Sequence, residues 1–86
     1  MPYIKQDERI RFDDEIEQLA LETSTPGQVA YVVYRYMLLV IRKFGGDFSA
    51  YAVIFGAVTE AVGEARRRWL WEREDKQREK NGDVPT

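Results

Sequence analysis

The first residues in this chain that could do chemistry are paired carboxylates. Glu60 and Glu64 stand four apart, as do Asp13 and Glu17, so on a helix each pair shares a face. Two carboxylates on one face can hold a hard cation or divide acid and base roles. A metal site needs more converging ligands than either pair offers. Glu64 also precedes Arg68 by four residues, and a solvated ion pair accounts for it without chemistry. Asp13 and Asp14 are adjacent and point to different faces. The chain has no histidine and no cysteine, which removes the commonest general base, the commonest metal ligand and every thiolate. No phosphate loop, nucleophile elbow or metal-ligand spacing is present. The expectation is a protein that is not an enzyme, with no cofactor and no metal.

Arginine and aromatic residues come next. Arg35 interrupts the apolar run 29–41 with Tyr31 and Tyr34 within one turn. It either lies on an exposed stripe with Arg42, its stem covering apolar surface, or meets a carboxylate or phosphate with its planar fork. The stretch ARRRWLW at 65–71 resembles a nucleic-acid grip at first sight. On a helix, however, Arg66, Arg67 and Arg68 fan out over about 200°, and Trp71 lies about 160° from Trp69. Trp69 is most simply core. Trp71 joins Arg67 and Arg78 on a cation and indole stripe, a composition typical of protein interfaces and also able to stack on bases.

Charge and length narrow the alternatives. The 86 residues carry a net charge of −2, with seven acids and three bases in 1–26, three bases and no acid in 27–46, and seven bases against four acids in 65–80. A duplex-binding protein shows a basic excess over a whole face, so nucleic acid is not an expected partner. A chain this short buries only about 60–65% of its unfolded surface. Without disulfides or a metal, self-association is the remaining common reinforcement. The start MPYIKQDERIRF has no apolar signal core, and the run 29–41 is too short to span a bilayer. The expected location is the cytoplasm, with no membrane partner.

Three helices must position these residues. Phe12, Ile16, Leu19, Ala20 and Thr23 recur at helical spacing, which predicts a helix over about 7–23. Thr25, Pro26 and Gln28 form the start signal T-x-x-Q with proline at the first helical position, and Gly45-Gly46 is a stop, which predicts a helix over 26–44. That helix carries two apolar stripes, Val29, Val33, Tyr36, Val40 and Phe44, and Ala30, Tyr34, Met37 and Ile41. It is therefore central, or covered partly by another subunit. Asp47 or Ser49 caps a third helix over about 48–80. Its seam is Tyr51, Phe55, Val58, Val62, Ala65 and Trp69, and its second stripe is Ala52, Gly56, Thr59 and Gly63. Glycines inside a helix are tolerated most readily where something approaches the backbone: the second helix, another subunit or a ligand. Past Trp71 the pairs Glu72–Lys76 and Glu74–Arg78 mark either a solvated helix or a frayed tail, ending at Asn81-Gly82, with 81–86 as tail.

The segments MPYI, RFDDEIEQL, VVYRYMLLVI and ARRRWLWEREDKQREKNGDV resemble a family of small uncharacterised proteins of phages, prophages and bacteria. Its pattern falls here on Arg9, Phe12-Asp13, Tyr34-Arg35, Gly56, Arg67-Arg68 and Asn81-Gly82-Asp83-Val84. The sequence departs from it at 69–73, where other members show a proline and a tyrosine. The resemblance implies a compact helical fold, a viral or mobile-element origin, and termini (Met1–Ile4 and Asn81–Val84) that are tied down, but no settled activity. By analogy with small helical phage oligomers, it suits a "sponge" that sequesters a nucleotide signal of bacterial immunity.

The expectation is thus a single all-α domain over 1–86, a compact three-helix fold with a long C-terminal helix, forming a homo-oligomer through Val33, Tyr36, Met37, Val40, Gly56, Gly63, Trp69 and Trp71. The leading function is binding of a nucleotide-like anion by Tyr3, Arg9, Tyr31, Tyr34, Arg35, Arg67 and Arg68. The alternatives are a protein–protein adaptor or inhibitor acting through the oligomer surface, and a nucleic-acid-associated accessory factor.

Overall fold

A computed structural model describes residues 3–82 and 84. Among them the chain is all-helical, with no strand. Helix α1 spans Gln6–Glu22, α2 Pro26–Lys43 and α3 Phe48–Ala65. A π-helical turn, Arg66–Leu70, leads from α3 into α4, Trp71–Asn81. Together these three pieces make a final helix of 34 residues. The chain divides into two units, Tyr3–Gly56 and the part from Ala57 onward.

Local chemistry sets the helix ends. At α2 the expected capping box forms: Gln28 N–H donates to Thr25 Oγ1 at 3.1 Å, and Thr25 N–H donates to Gln28 Oε1 at 3.2 Å. Two backbone donors at the helix start are thereby satisfied reciprocally. The other end closes through glycine, since Gly45 and Gly46 have φ of 104° and 68°, which costs a residue with a Cβ. Gly46 N–H then donates to Ile41 O at 2.9 Å and Gly45 N–H to Arg42 O at 3.1 Å, so carbonyls of the last turn find donors. Arg42 and Lys43 occupy that turn, where positive charge suits the helix dipole. Asp47, rather than Ser49, caps α3: its Oδ1 accepts from Ala50 N–H at 2.9 Å. Thr23 closes α1, its hydroxyl donating to Leu19 O at 2.7 Å.

The Gly45–Asp47 turn creates the core of the first unit. It consists of Ile41, 2% exposed, with Ala50 and Ile54, and Met37 and Val40 pack against it. One stripe of α2 is thereby covered by the start of α3. The stripe Val29, Val33, Tyr36 and Phe44 remains exposed, as do Phe12, Ile16 and Leu19 on α1, which has no buried residue.

In the second unit the π turn changes the expected register. Trp71 N–H donates to Arg66 O, five residues back, so one extra residue is accommodated in the turn. The seam that reaches Ala65 therefore continues to Leu70 instead of Trp69. Trp69 is 72% exposed and Leu70 46%, and Tyr51, Phe55 and Val62 of the same seam are exposed at 41%, 50% and 47%; the expectation of Trp69 as core fails because most of that seam is exposed, before the π turn as well as after it. Helix α4 is the solvated extension, with Lys76 paired to Glu72 at 3.6 Å. Arg78 takes Asp75 at 3.0 Å, three residues back, where the sequence suggested Glu74. Such exposed pairs contribute only tenths of a kcal/mol each. Gly82 ends α4 with φ 83°.

Two measurements test this packing. Ile41→Ala should lower the stability seen in urea unfolding by about 2–5 kcal/mol; a loss well under that range would mean that the core of this unit lies elsewhere. A Cβ built on Gly63 meets no atom within 4 Å. Gly63→Ala should accordingly raise Tm at low protein concentration, by a gain of about 1 kcal/mol in helix propensity. A lowered Tm would show that a neighbour lies against the glycine.

Candidate functional site

The seven residues expected to bind an anion have different surroundings. In the first unit, Arg9 turns back on the chain, its Nε donating to Ile4 O at 2.8 Å. Tyr3, 54% exposed, stands just before it. Met1, Pro2 and Asp83, which belong to the expected tied-down termini, lie outside the described residues. Tyr31, Tyr34 and Arg35 are all exposed on α2. Tyr31 and Arg35 are four apart and share a face, with Tyr34 about 100° from Arg35. Arg35 has no hydrogen bond or ion pair among the described residues, and α2 carries no acid. This is the exposed setting, with Arg42 on the same stripe.

In the second unit, Glu64 accepts from Arg67 Nε at 3.1 Å and from its Nη2 in an ion pair. The fork–carboxylate geometry of that pair occupies the edge of the guanidinium best suited to a phosphate. The glutamate's engagement with a residue three positions on supports the ion-pair account of Glu64 over a metal or acid–base role. No group of three or more acids that could hold a metal occurs among the described residues.

Three cavities among the described residues, taken in turn, each hold either a tyrosine or a cation of this kind or neither, and not both. One of about 440 Å³ at the corner of α1 and α2 is lined by Leu19, Glu22, Thr25, Gln28, Tyr31 and Val32, among others. Tyr31 is its only member from the anion-binding set, and its charged group is a carboxylate. A groove of about 420 Å³ along α1 is lined by Asp14, Glu15, Gln18, Leu19 and Glu22, the wrong sign for a phosphate. In the second unit a cavity of about 470 Å³ contains Arg78 together with Glu74 and Asp75.

The residues expected at an oligomer interface also divide. Val33 and Tyr36 are exposed on α2, whereas Met37 and Val40 are half-buried against the core. Gly56 and Gly63 each leave open space where a Cβ would stand. Trp69 and Trp71 are exposed at 72% and 54%, an unusual outlay of indole surface on a small chain. What sequence reasoning missed is the π turn at Arg66–Leu70, which shifts the helical phase at Trp69. The only sequence feature near it is the departure at 69–73 from the pattern of similar proteins.

No helix of the described residues is long and apolar enough to cross a membrane. No curated protein matches the chain, and no solved structure does. A family model described as a domain of unknown function, DUF6899, matches residues 1–84. The chain, with its three capped helices and its exposed aromatic and arginine stripes, therefore belongs to the DUF6899 family.

Proposed function

We propose that this chain is a non-enzymatic, self-associating binding protein of phage or prophage origin that sequesters a nucleotide-like anion in the host cytoplasm, as an anti-defence sponge does. The observation that carries the ligand half of this reading is Arg35: exposed, without a partner among the described residues, on a helix without an acid, and one turn from Tyr31. A guanidinium donates two parallel hydrogen bonds to a phosphate and stacks on rings, and a tyrosine beside it supplies a flat face and a hydroxyl for a base or ribose. Arg35 with Tyr31 and Tyr34 is the centre of the proposed site. Tyr3, Arg9, Arg67 and Arg68 are contributors that assembly would bring in, because ligand sites commonly form between subunits.

The self-association half rests on the exposed apolar surface of α1 and α2 and on Trp69 and Trp71. Val33, Tyr36, Met37, Val40, Gly56 and Gly63 complete the proposed contacts. The same surface favours a second reading, a protein–protein adaptor or inhibitor that engages a host protein through the tryptophans, since tryptophan and arginine are the usual anchors of such contacts.

Calorimetry against a panel of cyclic dinucleotides and cyclic ADP-ribose isomers separates the two. The expected result is saturable binding by the assembled protein, weakened about 10–100-fold by Arg35→Ala through loss of a charged hydrogen bond. No heat across the panel from a demonstrably assembled protein would remove the ligand reading and leave the adaptor.

A further inference from the structure

The unit Tyr3–Gly56 contains two exposed apolar faces with matching borders. On α1, Phe12, Ile16 and Leu19 span about 60° of the helix, and all three are exposed. Glu8, Glu15 and Glu22 run along one edge of that face, seven residues apart. Glu15 is three from Phe12 and four from Leu19, which makes it a direct neighbour of both. None of the three glutamates forms an ion pair among the described residues, and Glu22 accepts from Gln18 Nε2 at 3.3 Å.

On α2, Leu39, Tyr36, Val29 and Val33 span about 120°, and all four are exposed. One edge of this face is closed by Met37 and Ile41, which turn to Ala50 and Ile54. Arg35 and Arg42 run along the other edge, again seven apart, with Arg35 four residues from Leu39. Neither arginine has a partner among the described residues.

We infer that α1 of one copy of this chain docks on α2 of a second copy. Phe12, Ile16 and Leu19 cover Val29, Val33, Tyr36 and Leu39, and the glutamate row faces Arg35 and Arg42. Three features select a second copy as the occupant. The two faces are opposite in charge, and like charges on one face would repel while opposite charges steer association. The charged rows share the seven-residue period, so two partners come into register along one seam, as flanking charges do in paired helices. Each chain carries both faces, so a second copy can exchange them reciprocally, and the proposed assembly is a two-fold dimer, with residue i meeting j and j meeting i. This inference rests on the self-association proposed above and names its surface. It does not depend on a nucleotide ligand, and the five N–H donors of the guanidinium let Arg35 face a partner glutamate on one edge and a phosphate on another.

The absence of native cysteine makes the test direct. Chains carrying Ile16→Cys and Val33→Cys, each with a different tag and both mid-helix, are co-expressed and oxidised without nucleotide. A crosslink between the two tags is expected, because the cysteines lie on different chains. Leu21→Cys, on the opposite face of α1, serves as the control with Val33→Cys and should crosslink only at background level. Glu15→Arg with Glu22→Arg should lower the Ile16–Val33 yield by about tenfold or more, and Arg35→Glu with Arg42→Glu in the other chain should restore it. Light scattering and circular dichroism on the same samples report assembly and folding. An assembled, helical protein in which Ile16–Val33 crosslinks no better than the control would overturn this interface while leaving self-association standing. A monomer at every concentration would overturn both.

Discussion

The packing of Ile41 against Ala50 and Ile54 is the contact on which the first unit depends. It exists because the chain reverses over Gly45, Gly46 and Asp47, two positive-φ glycines and an aspartate cap. That reversal brings one stripe of α2 onto the start of α3. It leaves Val29, Val33, Tyr36 and Leu39 of α2 exposed, and α1, which has no buried residue, precedes α2 across the short segment 23–25. Fully burying one isoleucine side chain contributes about 1.5–3 kcal/mol, and ordering each residue's backbone costs about 1–2 kcal/mol. A three-residue core is a thin return for the helices it organises. The self-association proposed above needs the exposed faces of α1 and α2.

Charge is distributed to suit that need. The acids of the first unit lie almost entirely on α1 and none lies on α2, while α2 carries Arg35, Arg42 and Lys43. Within α4 the opposite policy holds, with Glu72–Lys76 and Asp75–Arg78 paired along one solvated helix. A helix that pairs its own charges is at ease in water. A helix pair that segregates opposite charges beside apolar stripes is arranged for contact. Arg67 follows the first pattern through Glu64 and Arg35 the second, and this difference is why the proposed site is centred on α2 and not on ARRRWLW.

That arginine and tryptophan stretch shows where a sequence argument stops. Helical spacing predicts that its three arginines fan out and that Trp71 lies apart from Trp69. It assumes 3.6 residues per turn throughout, and the five-residue hydrogen bond at Arg66–Trp71 breaks the assumption. One inserted residue rotates the continuation by about 100°, so Leu70 takes the phase expected of Trp69, and both side chains are exposed. A π turn has no residue signature comparable to a capping box, which is why this change of phase was not legible.

The sequence by itself determined the helical class and the places where helices begin and end. Thr25 with Gln28, Gly45-Gly46, Asp47 and Gly82 act on backbone groups no more than about five residues away, so their effect can be read without knowing what packs where. It also showed that His, Cys and phosphate-loop chemistry are absent. Only the tertiary structure decided which stripe of α2 meets α3, that Gly56 and Gly63 face open space, that Glu64 engages Arg67, and that Arg35 stands without a partner. Those outcomes depend on which faces come together and on the exact helical phase, and both are set by contacts among residues far apart in the chain or by a shift of one residue that composition does not record.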